Sequence, residues 1–267
     1  MPLRDDSALS QRGRVVLVTG GGRGVGRGIA ERFLTAGAAV AICGRHEPET
    51  MPSVDGATAM FTAADVRDAE QVNALIDAVV ARHGRLDVVV NNAGGAPPAE
   101  SATAPARFST AIVTLNLLAP LFVAQAANAV MQHQDEGGLI VNIGSVSAER
   151  PNPSAAAYGA AKAGLVNLTQ TLAVEWAPKV RVNLVTAGYV RTELSHLYYG
   201  DEAGIAAVGT TIPLGRMAEP ADIGDACLLL ASPLARYITG ANLAVHGGGE
   251  RPAYLNASQG EITKEKG

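Results

Sequence analysis

The chain has 267 residues, 48% hydrophobic and 17% charged, with a formal net charge of −4. No run of Lys or Arg is long enough to track a phosphate backbone, so nucleic acid is not an expected partner. No apolar run reads as long enough to span a membrane, and the opening MPLRDDSALSQRGR lacks the apolar core of a signal peptide, so the expectation is a soluble, cytoplasmic protein with no membrane partner.

Residues 1–12 read as a polar extension. After them, short β-branched runs alternate with longer amphipathic stretches. Strands are expected at 15–19, 40–43, 86–91, 139–143, 180–185 and 242–246, with a weaker one at 59–63. Helices are expected at 25–36, 68–83, 105–131, 155–176 and 222–231. Several strands are apolar on both parities, the pattern of strands covered on both faces. Aromatics make up only 4% of the chain, so small aliphatic side chains must build the core and let layers approach closely. Strand–helix–strand alternation implies right-handed crossovers and a doubly wound, mostly parallel α/β sheet with helices on both faces. No linker interrupts residues 13–250, which therefore read as one domain, and 251–267 as a polar tail. Cys43 and Cys227 have neither disulfide nor metal spacing, and the five scattered histidines suggest no metal site.

Directly after the first strand stands TGGGRGVGRGIAERF. Gly20, Gly24 and Gly26 lie between a strand end and a helix start, where backbone without Cβ can approach a pyrophosphate. The free N–H groups of the following helix favour its charge. The spacing is T-G-x-x-x-G-x-G, wider than the common G-x-G-x-x-G fingerprint. An NAD site needs a carboxylate about 20 residues on, for the ribose 2′-hydroxyl. Here the second strand ends in AICGRHE, with Arg45 in the turn and Arg23 inside the glycine loop. Two guanidiniums suit a 2′-phosphate, so NADP(H) is the expected cofactor, with NAD(H) still possible.

AAAYGAAKAG sets Tyr158 one helical turn before Lys162. Taken alone, such a pair is most often a solvated surface pair. In IVTLNLLAPLF, Asn116 is a polar amide in an apolar helix pattern, and Pro120 has no N–H to give its carbonyl.

T-G-x-x-x-G-x-G at 19–26, NNAG at 91–94, Asn116, Ser145 and Tyr158-x-x-x-Lys162 together resemble the short-chain dehydrogenase/reductase family. The resemblance runs from about residue 13 to 249. The stretches IPLGRMAEPADIGDACLLLAS and YITGANLAVHGG are most similar to its 3-oxoacyl-carrier-protein reductase-like branch. That resemblance implies a single-domain Rossmann fold with a seven-stranded sheet. It implies hydride transfer between NADP(H) and a carbonyl or secondary alcohol, with reduction of a ketone as the expected direction. Asn116, Ser145, Tyr158 and Lys162 are the implied catalytic residues, Ser145 orienting the substrate oxygen and Asn116 holding a relay water with Pro120. Gly20, Arg23, Gly24, Val25, Gly26, Arg45, Asp65, Val66, Asn92, Ala93, Gly94, Tyr158, Lys162, Gly188, Val190 and Thr192 are the implied cofactor contacts. Asp65 and Val66 are assigned to the adenine, and Asn92, Ala93 and Gly94 to its ribose. Val190 and Thr192 are assigned to the carboxamide and phosphate. A homotetramer is also implied, with the helices at 105–131 and 155–176 in one interface. Two departures from the family pattern are Ala187, where Pro is usual, and His246, where Asp is common.

The chemistry explains the pair. A phenol with a pKa near 10 must move by roughly 3 units to act as a base near neutrality, about 4 kcal/mol. One ammonium about 4 Å away supplies that only in a largely dry site. The family's substrate lid falls at 189–215, where Leu194, Leu197, Tyr198 and Tyr199 suggest a substrate with hydrophobic bulk and Glu149 and Arg150 a polar rim. A 3-oxoacyl thioester, a steroid or other cyclic ketone, and a small diketone all remain open. Two alternatives are a non-catalytic dinucleotide-binding sensor or structural partner and an epimerase or dehydratase of the extended type; the intact four residues oppose the first, and the glycine spacing the second.

Overall fold

The computed structural model describes residues 6–257, so 1–5 and 258–267 of the two expected polar ends lie outside the described residues. In chain order the strands are β1 (Val15–Thr19), β2 (Ala39–Gly44), a small pair β3 (Ser53–Val54) and β4 (Ala57–Thr58), β5 (Met60–Ala63), β6 (Val88–Asn91), β7 (Gly138–Ser145), β8 (Val180–Ala187) and β9 (Asn242–Val245). The helices are α1 (Gly24–Thr35), α2 (Ala69–His83), α3 (Ala106–Val113), α4 (Ala119–Met131), α5 (Ala156–Glu175), α6 (His196–Tyr199), α7 (Glu202–Thr211), α8 (Pro220–Ala231) and α9 (Tyr254–Ala257).

Seven strands form one sheet in the order β5-β2-β1-β6-β7-β8-β9, every pair of neighbours parallel. Strand order reverses beside β1, so the chain winds outward twice from its centre, the doubly wound Rossmann-like arrangement. Side chains alternate across β1: Val16 and Val18 pack with Ile29 and Phe33 of α1 and Ile223 and Cys227 of α8. Val15 and Leu17 face the other layer, with Leu75 and Val79 of α2, Val123 and Ala127 of α4, and Leu172 of α5. Both cysteines are buried and free, and burial pushes each thiol up to about 12.

Two glycines bring α1 and α8 unusually close. A Cβ on Gly28 would lie 2.4 Å from Cβ of Pro220, and one on Gly224 would lie 2.6 Å from Cγ of Arg32. A buried polar seam ties the other layer to the sheet. The Asn91 amide donates to the Pro120 carbonyl at 3.1 Å and to Asn142 at 2.9 Å, and Asn142 donates to Thr169 at 2.9 Å.

The helix expected to run unbroken over 105–131 contains a π-turn at Thr114–Leu118 between α3 and α4. There the Ala119 N–H reaches back to the Thr114 carbonyl, a wider closure than the α-helical one. The joined helix, Ala106–Met131, is also long and apolar enough to span a membrane by length and composition, contrary to the expectation that no stretch reaches that length. Its apolar residues Val123, Ala124, Ala127 and Met131 are buried against the sheet.

Candidate active site

Parallel strands present their carboxyl ends along one edge, and most of the predicted site residues converge there. Ser145 closes β7, paired in register with Ala187 at the end of β8. Tyr158 and Lys162 project from the first two turns of α5. The α5 helix can sit this close to the loop after β7 because residue 159 is glycine; a Cβ there would stand 2.9 Å from the Ser147 carbonyl. The loop itself is held by Ser145, whose Oγ accepts from the Ser147 N–H at 3.2 Å, and by Asn152, which donates to the Ser147 hydroxyl at 2.9 Å.

Lys162 is 3% exposed and its ammonium donates to the Ile143 carbonyl at 2.7 Å. Its Nζ lies 5.7 Å from the centre of the Tyr158 ring. Burial without a carboxylate partner lowers the Lys162 pKa from 10.5 to about 8. Desolvation raises the Tyr158 pKa, while its hydrogen bond with Ser145 works the other way. Loss of water is the largest influence on both groups, in keeping with the dry site that the pair requires.

Asn116 sits in the π-turn, wholly buried. Its Oδ1 accepts from Gly95 N–H at 2.8 Å, and its amide donates to the Gly95 carbonyl at 3.0 Å and the Ile112 carbonyl at 2.9 Å. It therefore clamps the loop after β6. A Cβ on Gly94 would fall 2.8 Å from Asn116 Oδ1 and 3.4 Å from Lys162 Nζ, so this glycine is what lets the three meet.

A cleft of about 1190 Å³ runs from the turn after β2, past the glycine turn, to the Ser145–Tyr158–Lys162 corner. Every predicted cofactor residue lines it; of the predicted set, only Asn116 stands behind its wall. The residues present fit a dinucleotide's diphosphate. Gly20 (φ +64°) and Gly24 (φ +51°) take left-handed backbone, and a Cβ on Gly26 would strike the Gly20 carbonyl oxygen at 2.3 Å. Arg23, the residue before α1, caps none of the N–H groups that open the helix with its side chain. One of them, Gly24 N–H, donates to the Glu193 carboxylate at 3.1 Å, an anion already drawn to the helix start.

Asn92 lines the cleft with the rest of the NNAG turn, and its side chain has structural work there. Its side-chain amide donates to the carbonyls of Thr19 and Gly20, and Thr19 Oγ1 accepts from the N–H groups of Asn92 and Ala93. The side chain thus braces the glycine turn, and Thr19 is a positioning residue that the sequence reading passed over. At the far end, Arg45 and Arg23 share the rim with Glu47 and Glu49. Asp65 is bound by Arg67 through its Nε at 2.9 Å and Nη2 at 2.5 Å. That pair, helped by the more distant charge of Arg45, holds the Asp65 carboxyl at about 2. Arg67 was also missed; its place two residues after Asp65 in one turn was the available signal.

Of the four lid side chains expected to make an apolar wall, Leu194 lines the cleft. Leu197 and Tyr198 are largely exposed, and Tyr199 packs edge-on against Tyr189 at 6.1 Å. Among the described residues no His, Cys, Asp and Glu group suited to a metal ion is found.

The chain is similar to known proteins over most of its length. A family model described as enoyl-(acyl carrier protein) reductase matches residues 20–250. A 3alpha-hydroxysteroid dehydrogenase of Mediterraneibacter gnavus is 35% identical over 244 residues, covering 88% of this chain and 96% of its own. An L-rhamnose 1-dehydrogenase (NAD(P)(+)) of Azotobacter vinelandii is 34% identical over 245 residues, covering 88% and 96%. Among solved structures, the aldohexose dehydrogenase of Thermoplasma acidophilum superposes with a TM-score of 0.82 at 32% identity, over 89% of this chain and 94% of that one.

Proposed function

This chain belongs to the short-chain dehydrogenase/reductase family, oxidoreductases acting on alcohol and carbonyl groups, and from that premise we propose that it reduces a ketone with NADPH in the cytoplasm, as a homotetramer. The observation that carries the reading is one continuous cleft with a glycine-lined anion cradle at its middle and Ser145, Tyr158 and Lys162 at its end. When bound, the dinucleotide supplies the hydride. Gly20, Gly24 and Gly26 admit its diphosphate. Val25, Asp65, Val66, Ala93, Gly94, Gly188, Val190 and Thr192 flank it, and the bracing Asn92 keeps the cradle's shape.

The proton comes from the protein. Ser145 and Tyr158 hydroxyls hold the carbonyl oxygen, and Tyr158 O–H passes its proton to that oxygen as the alcohol forms. Desolvation keeps the phenol protonated above its ordinary range, the form that reduction requires. Lys162 sets the electrostatic cost of the tyrosinate left behind, and the Asn116 π-turn, with Pro120 unable to close it, leaves a carbonyl for a water that returns the proton. Arg23 and Arg45 favour the 2′-phosphate of NADPH, since Arg67 is already committed to Asp65.

Initial rates of NADPH and NADH oxidation against cyclic ketones, steroid ketones, 3-oxoacyl thioesters and ketoses test the reading. NADPH is expected to be preferred, Arg45→Asp to shift the preference toward NADH, and Tyr158→Phe to cut turnover about 10²–10⁴-fold with dinucleotide affinity kept. Full activity of Tyr158→Phe, or silence across the panel, would overturn it.

A further inference from the structure

A second cavity, about 230 Å³, opens one residue beyond the catalytic row. Ser145, Ala187 and Val245 are register partners at the carboxyl ends of β7, β8 and β9. Val146, Gly188 and His246, the residues that follow them, line this cavity, and Gly188 lines the main cleft as well. The two spaces therefore share Gly188 as a wall, next to the end of β8. Glycine is what lets His246 approach so closely: a Cβ on Gly188 would stand 2.8 Å from Cα and Cβ of His246.

Several polar groups in this wall are held in place by their neighbours. Arg150 Nη2 donates to the Tyr189 hydroxyl at 2.8 Å and pairs with the Glu250 carboxylate at 2.5 Å, with the guanidinium 5.6 Å from the Tyr189 ring centre. Its Nη1 donates to the Pro151 carbonyl at 3.3 Å. A guanidinium carries five N–H donors, so Arg150 keeps capacity for a ligand. Glu149 accepts from the Asn242 amide at 3.0 Å, and Asn242 accepts from Thr186 at 2.7 Å, which fixes that carboxylate. His246 Nδ1 is buried with no partner among the described residues.

These groups select by chemistry. Two carboxylates against one guanidinium leave the cavity negative, so an anionic substrate meets like charge at a cost. An alkyl chain or steroid ring would strip water from Glu149, Arg150 and His246 and return no hydrogen bonds. A hydroxyl group donates to a carboxylate and accepts from a guanidinium at once. We propose that this cavity is a recognition subsite for a neutral polyhydroxylated carbon chain, a sugar or polyol, whose reacting carbon sits at Ser145 and Tyr158. The assignment rests on the dehydrogenase/reductase reading above and names its substrate class in place of a hydrophobic one.

The test compares kcat/KM for oxidation of erythritol and sorbitol with that of 2-butanol and 2-hexanol, with cyclohexanol as a simple alcohol. The polyol of each length is expected to exceed its mono-alcohol about 10²-fold or more, as sites built around a substrate hydroxyl do. Glu149→Gln and Arg150→Met should each lower that ratio about tenfold. In Tyr158→Phe with oxidised dinucleotide present, sorbitol should raise Tm and 2-hexanol should not, which reads binding without turnover. Mono-alcohols used as well as polyols, or a ratio unmoved in both variants, would overturn the subsite while leaving the dehydrogenase in place. No Tyr158-dependent turnover of any alcohol, cyclohexanol included, would instead remove the reading beneath it.

Discussion

Lys162 carries a cost that its surroundings do not repay in full. It sits almost wholly out of water with a backbone carbonyl for its nearest acceptor, and its pKa falls from 10.5 to about 8. The difference corresponds to about 3 kcal/mol. Because the folded chain releases this proton earlier than the unfolded one, the unfolded state binds more protons between pH 8 and 10.5, and stability rises with pH across that window. The penalty is complete below pH 8 and gone above 10.5. Lys162→Met removes the titrating group, so its stability relative to the wild type should be greatest below pH 8 and should decline by about 3 kcal/mol toward pH 10.5. Denaturant titrations at several pH values across the window measure it; a difference flat with pH would mean the ammonium is better solvated than its burial indicates. In the proposed mechanism that cost keeps a cation where a tyrosinate forms. The identity of these residues was legible in the sequence as an ordered set of motifs. Their electrostatics were not, because spacing gives proximity along a helix but not the Ile143 carbonyl from a neighbouring strand.

Elements were easier to read at their centres than at their ends. The expected strands at 139–143 and 180–185 each extend by two residues, to Ser145 and Ala187, since the β7–β8 ladder continues through Gly144–Thr186 and Ser145–Ala187 whatever the local propensity. The β3–β4 hairpin was overlooked, although its signal stood in the chain: Asp55 and Gly56 take φ of 49° and 83°, the conformation such two-residue turns demand. The lid helices α6 and α7 were overlooked as well, both short and joined through Gly200 in left-handed backbone. Close packing of α1 on α8 yields a direct prediction. Gly28→Ala puts a methyl group 2.4 Å from Pro220 and should cost about 1–3 kcal/mol, lowering Tm by about 2–12 °C in a domain of this size. Thermal unfolding by circular dichroism checks it; an unchanged Tm would show that the two helices can part without loss.

For the whole molecule, the seven-stranded parallel sheet and its two helical layers follow from alternation of apolar runs and helical periods, which is why the architecture was the most legible part. Assembly leaves a weaker trace. Val174 on α5 is 81% exposed, and Leu118, in the π-turn ahead of α4, is exposed too, on the two helices expected to meet a second subunit. With a chain mass of 27.3 kDa, sedimentation equilibrium should give about 109 kDa for a tetramer, and Val174→Glu should lower it. A wild-type mass of 27.3 kDa would exclude the assembly.

The row at the ends of β7, β8 and β9 also bears on how such a protein changes over generations. Ser145 is fixed within a hydrogen-bonded ladder, whereas Val146, Glu149, Arg150 and His246 stand just outside it. Replacing these would alter what the cavity accepts without disturbing the strand that holds Ser145. Laboratory selection for new substrates therefore has room at 146, 149, 150 and 246. It has none at 188, where any side chain would collide with the backbone of His246.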